Sequence, residues 1–303
     1  MQAHSRGYVA AVVAYAAWGL LPLYFARLAP AGYADILEHR IIWSAVLLSL
    51  FLLLRHRAKA ALAHALRPKV ALAVAVSGLL IGSNWLFYAY AVLNHQTLEA
   101  SLAYFINPLI TALLGRVFFD ERLERYHVAA LACGVGGVAW QLVFLDHVPW
   151  IALVLAVTFA LYGISKKTLG MPPVEGLWLE TLVLLPVLAL LGTLPFWQTK
   201  GIFFYASEPS TMLMLIGLGI TTTVPLILFS SAAQRLPLVA MALLQYISPS
   251  LKFIVAVAFL GEALTVEKLP SYLLVWLGVG IFVAGTLTSS RAREVPGTAS
   301  SDA

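Results

Sequence analysis

Ten apolar runs separated by short polar stretches dominate the chain. They fall near residues 7–26, 36–54, 70–92, 98–119, 126–144, 149–165, 176–195, 210–232, 237–260 and 271–288. A helix needs roughly 20 residues to cross about 30 Å of hydrocarbon, so the pattern predicts ten membrane-spanning helices. The run at 149–165 is short, and Thr221-Thr222-Thr223 and Pro225 interrupt the one at 210–232. Neither feature removes a span, because neighbouring helices in a bundle satisfy the backbone groups that proline and glycine free.

Two of the runs are copies of one another. Phe105-Ile-Asn-Pro108 returns as Tyr246-Ile-Ser-Pro249, Phe118 as Phe259, Glu121 as Glu262 and Leu123 as Leu264, all in one register with no gap between residues 99–121 and 240–262. A constant register over that length argues internal duplication. Each copy carries a proline in its middle, where a soluble helix would lose about 3 kcal/mol, so a broken helix used twice is expected. The copies start at the fourth and ninth spans, and an odd offset of five crossings turns the second upside down. Tyr15-x-x-Trp18-Gly19 in the first span and Phe159-x-x-Tyr162-Gly163 in the sixth extend the correspondence. The expected fold is therefore all-α integral membrane, with ten transmembrane helices as two inverted five-helix repeats. One repeat covers residues 1–145, its inverted partner covers 146–290, and 291–303 form a disordered cytoplasmic tail. Inverted halves are a transporter signature, with the substrate site at the repeat interface near the midplane. Duplication used only to build a stable bundle is the bland alternative.

Composition agrees with the pattern. The chain is 61% apolar and 11% charged, with a mean hydropathy of +0.89, against a charged fraction of about 25% in soluble domains. The bilayer is its solvent. The net charge of +5 does not point to nucleic acid, because the basic residues sit in loops rather than along one face. With the N-terminus inside, the inner loops hold Arg6, Arg55, Arg57, Lys59, Arg67, Lys69, Arg122, Arg125, Lys166, Lys167, Arg235, Arg291 and Arg293, against Arg27, Lys200 and Lys268 outside. That excess places both termini in the cytoplasm. Phe196-Trp197 and Phe203-Phe204-Tyr205 fit an outer aromatic belt. A cleaved signal peptide ending at Ala14-Tyr15-Ala16 is set aside, since the first run continues through Trp18 to Phe25. Cys133, the single cysteine, permits neither a disulfide framework nor a cysteine metal site.

The candidate chemistry lies inside the spans. Lys252 falls near the centre of the ninth, where insertion of a lysine costs roughly 2.5–3.5 kcal/mol. Glu38 on the antiparallel second span lies within about 5 Å of it in depth. Four roles stay open for Lys252: attracting an anionic group, exchanging a proton with Glu38, a permanent ion pair, or bonding carbonyls freed near Pro249. Gln245, Ser248, Pro249 and Lys252 form one polar stripe, with Tyr246 beside it. Ser101, Tyr104, Pro108 and Thr111 form the corresponding stripe on the fourth span, with Asn107 beside it. Asn84, Tyr88 and His95, with adjacent Trp85, mark the third span, and Trp18, Pro22 and Tyr15 the first. Aromatic side chains with a few amides suit a pocket for an amphipathic organic molecule; they equally suit packing. Glu38-His39-Arg40 could gate the cavity or couple protons, or leave Glu38 and Arg40 as an interfacial ion pair. Glu121 and Glu262 read as helix caps, and Gly78-x-x-x-Gly82, Gly134-Val-Gly136-Gly137 and Gly278-Val-Gly280 as packing glycines. No metalloprotease His pair, nucleophile elbow, P-loop or dinucleotide fingerprint is present. No enzyme activity and no cofactor is expected, and transport would run on gradients.

The segments Ala14–Tyr24, Glu38–Ser44, Asn84-Trp85, Glu99–Pro108 and Gln245–Pro249 resemble the RarD-type permeases of the EamA group, within the drug/metabolite transporter superfamily. The resemblance spans residues 7 to 288. It implies ten helices in two inverted halves, a bacterial inner-membrane location and export of small molecules, and the family's name links it to chloramphenicol sensitivity. No agreed set of binding residues comes with it. Ala26, with Arg27 next to it, and Lys252 depart from the family's pattern, the second leaving the charge of the solute open. The reading is a secondary transporter working by alternating access, with proton exchange as its driver. Its expected partners are a small-molecule substrate and the lipid bilayer, with no nucleic acid, and a homodimer is left open. The alternative is a membrane scaffold or assembly factor without transport activity.

Overall fold

The computed structural model describes residues 2–28, 31–93, 97–144, 147–195, 197, 199–202, 204–259 and 269–294. His95, Phe196, Phe203, Glu262, Leu264, Lys268 and the tail after Glu294 lie outside them. The described residues form helices α1 (Gln2–Ala26), α2 (Tyr33–Leu54), α3 (Ala58–Ala65), α4 (Pro68–Leu93), α5 (Thr97–Phe119), α6 (Arg125–Leu142), α7 (Trp150–Thr168), α8 (Pro173–Leu191), α9 (Pro209–Ala233), α10 (Leu238–Gln245), α11 (Ile247–Phe259) and α12 (Leu269–Glu294). Nine candidate spans are long and apolar enough to cross a membrane, with α10 and α11 counted together as one. Adding α6 gives the ten expected crossings and sets both termini at one end of the bundle, here the termini end. Side chains such as Leu213, Ile216, Ile220 and Val224 on α9 remain exposed at helical spacing, an apolar outer face that suits lipid.

The helices pack as two equivalent sets. The equivalent pairs α6 with α12, α2 with α8, and α5 with α10 each touch. The packing of α5 on α7 recurs as α11 on α1, α2 on α9 as α8 on α4, and α1 on α9 as α7 on α4. Tyr246 even donates a hydrogen bond to the carbonyl of its own counterpart, Phe105, at 3.3 Å, as residues near a two-fold axis must. Glycines permit two of these contacts: Gly278 lies against the Ala130 carbonyl and Gly78 against the Glu180 backbone, where a Cβ would come within 2.8 and 3.3 Å.

Four expectations change. The proline helix is broken once, not twice: α5 runs through Pro108, whereas the second copy interrupts at Tyr246 between α10 and α11. Pro249 cannot donate to the Gln245 carbonyl, and the turn before it tightens to a bond from Tyr246 N to Leu243 O at 3.4 Å. The stretch read as an aromatic belt folds inward instead. Trp197 and Tyr205 are buried while Phe204 stays exposed. Asp35 clamps this loop, accepting from Lys200 N at 2.7 Å and from the Tyr205 hydroxyl at 3.1 Å, and burial beside Asp35 pushes the Tyr205 phenol up to about 12. The loop between the second and third spans contains the unforeseen α3, where Arg57 pairs with Glu175 at 2.7 Å. Finally, α12 continues to Glu294, past the boundary expected at 290.

Glu121 does what its position suggested. Its carboxylate accepts from the first backbone amides of α10, Leu238 N at 2.7 Å and Val239 N at 2.9 Å, and meets Lys167 at 3.5 Å.

Candidate functional site

Midway along the bundle, α1, α2, α4, α5, α7, α9 and the α10–α11 pair surround a cavity of about 130 Å³, similar to an apolar cavity that holds a benzene ring. Of the residues singled out for binding, Trp18, Asn84, Trp85, Tyr88, Tyr104, Asn107, Gln245, Ser248 and Lys252 line it, together with Arg40 from the proposed gate. Helix α7, which carried none of the residues singled out for binding, also enters the wall through Leu155 and Phe159.

Tyr246, Glu38 and His39 are not among the lining residues. Tyr246 points its hydroxyl at Phe105 O. The Glu38-His39-Arg40 triplet does not act as a cluster, because successive residues on a helix point about 100° apart. Glu38 takes a hydrogen bond from Thr199 near the end away from the termini, and its Oε2 is buried without a partner. His39 is fully buried, accepting from Trp43 Nε1 at 3.0 Å. Arg40 alone turns inward. The pairing of Glu38 with Lys252 does not form, and neither does an ion pair between Glu38 and Arg40.

The amides in the wall hold helices together. Asn84 Nδ2 donates to Leu155 O at 2.8 Å and to Thr158 Oγ1 at 3.0 Å, and Asn107 Nδ2 donates to Ala156 O at 2.8 Å. Both therefore tie the first half to α7, and Thr111 donates to Asn107 Oδ1 at 3.1 Å. The cations are placed differently. Lys252 Nζ sits 3.4 Å from the centroid of the Tyr104 ring, and the Arg40 guanidinium lies 4.6 Å from that of Trp85 while its Nε donates to Thr222 Oγ1 at 3.0 Å. Tyr104 in turn is hydrogen-bonded to Tyr88. A cation on a ring gains about 0.5–2 kcal/mol, less than the several kcal/mol that burying a charge costs.

Between the cavity and the termini end stands an aromatic cluster built from the two matched motifs. Trp18 meets Phe159 and Phe229 at 5.7 Å each, and Tyr162 stacks on Phe229 at 5.9 Å. Beyond it lies a charge pair absent from the sequence-derived site. Lys166 Nζ contacts Glu180 Oε1 at 2.5 Å with both side chains fully buried, Ser77 donates to the same oxygen, and Tyr162 donates to Oε2 at 3.3 Å. The signal was an acid inside an apolar run, which in a membrane helix is a functional candidate by default.

A ten-helix bundle with an apolar exterior, inverted halves and a cavity at their interface defines a membrane transporter. A model of the EamA-like transporter family matches residues 5–143. Protein RarD of Escherichia coli (strain K12) is 37% identical, covering 94% of this chain and 96% of its own length. Protein RarD of Salmonella typhimurium is 36% identical over 95% of this chain and 98% of its own. A Pseudomonas aeruginosa protein described as chloramphenicol-sensitive protein RarD is 29% identical over 92% and 94%. A solved crystal structure shares the fold, with a TM-score of 0.68 over 93% of this chain and 97% of its own at 18% identity. The chain belongs to the EamA-like transporter family, among its RarD-type permeases, and is a multi-pass bacterial membrane protein.

Proposed function

We propose that the protein is a secondary active transporter that exports a small organic metabolite or drug by alternating access, with proton exchange as the driver and both termini in the cytoplasm. The observation that carries this reading is the cavity at the interface of the inverted halves, midway along the bundle and walled by both copies of the repeat. Transporters built from inverted repeats bind their cargo there and move one half against the other. The halves divide near residues 145 and 146. Concentration of basic residues in the loops of the termini end supports the orientation. In this conformer the aromatic cluster and the Lys166–Glu180 pair lie across the cytoplasmic side.

The test is flux in proteoliposomes. Purified protein is reconstituted with a pH indicator sealed inside, and compact aromatic solutes are added under a proton gradient. Transport predicts solute-dependent proton movement that Ala103→Phe, which fills the cavity, abolishes while the melting temperature is kept. Absence of flux for every solute, together with a stoichiometric protein that co-purifies, supports the scaffold reading instead.

A further inference from the structure

The lysines and arginines of this protein divide by whether they have found an acid. Lys166 has Glu180, Lys167 has Glu121, Arg57 has Glu175 and Arg116 has Asp120. Arg40 and Lys252 line one cavity deep in the bundle, and no carboxylate among the described residues stands within ion-pair distance of either. Each rests instead on a neutral ring. The terminal nitrogens of Arg40 and Lys252 Nζ make no hydrogen bond to a described residue, and both residues line the cavity. Two like charges held in one small volume repel each other, and a single anion placed between them relieves both the repulsion and the missing counter-charge.

Resting on the reading of this cavity as the transport site, we infer that its substrate is a compact organic anion. A carboxylate or similar oxyanion would lie between Arg40 and Lys252, with a flat apolar or aromatic body against Trp18 and Phe159. Arg40 has its Nε committed to Thr222, which leaves the planar end of the guanidinium for an oxyanion, the geometry in which arginine binds carboxylates best. The cavity volume limits the body to about one ring.

The experiment uses the full chain in detergent. Binding of benzoate and phenylacetate is compared, by titration and by thermal shift, with that of their amides and of the corresponding amines. The acids are expected to bind about tenfold or more tightly than the amides, as a charge-assisted contact gives. Lys252→Met and Arg40→Gln should each remove that preference, leave amide binding within about threefold, and regain acid binding in Lys252→Arg. The comparison of acid with amide in the unaltered protein needs no variant to fold. Equal binding of acid, amide and amine, each blocked by Ala103→Phe, overturns the anion assignment while leaving the cavity reading in place. Silence from all probes overturns the assignment too, and the flux assay then judges the cavity separately.

Discussion

Lys166 and Lys252 are both lysines inside an apolar bundle, and they show opposite solutions to the same cost. Lys166 is sealed against Glu180, with Ser77 and Tyr162 completing the acid's hydrogen bonds. Lys252 faces a cavity and, among the described residues, rests on the Tyr104 ring with no acid at ion-pair distance. A buried charge with its counter-charge is part of the scaffold; on the inference above, the other is held for an anion.

The largest effect expected is from Glu180→Ala. It strands Lys166 in the interior, which should lower unfolding stability by about 3–5 kcal/mol in thermal or denaturant melts, and Lys166→Met combined with Glu180→Leu should recover most of it. A smaller effect of opposite sign is expected for Lys252→Met: removing an insertion cost of about 2.5–3.5 kcal/mol and a ring contact of about 0.5–2 leaves a gain of about 0.5–3 kcal/mol. A clear loss of stability in that variant would show that Lys252 is structural after all, and the contrast would fail. Glu121→Gln weakens the cap on α10 and the contact with half-buried Lys167 and should cost about 1 kcal/mol. Asp120→Asn breaks the exposed Arg116–Asp120 pair and should shift the melt by less than about 0.5 kcal/mol.

The spans were legible because an apolar run of about 20 residues has few alternatives, and the duplication because its register survives in residues as ordinary as Pro108 and Pro249. The cavity wall was legible in part, since polar and aromatic stripes on membrane helices tend to face inward. Rotational phase was not: it separated Glu38 from Arg40 and turned Tyr246 toward Phe105. Asn84 and Asn107 illustrate another limit, because an amide at a cavity wall looks the same in sequence whether it holds a ligand or, as here, a neighbouring helix. Lys166 counted as a loop cation because it lies at the end of its run, and only the packing of α7 and α8 on α4 shows that it is buried with Glu180.

The two cavity cations stand on different copies of the repeat, Arg40 on α2 and Lys252 on α11. Under the proposed alternating-access cycle, cargo that touched both would be a tie across the seam between the halves, altering their mechanical coupling as well as the charge. Reach then separates two kinds of ligand. On that proposal an anion that engages both cations would draw the halves together and be carried, whereas one that engages a single cation would occupy the cavity without joining them and act as a plug.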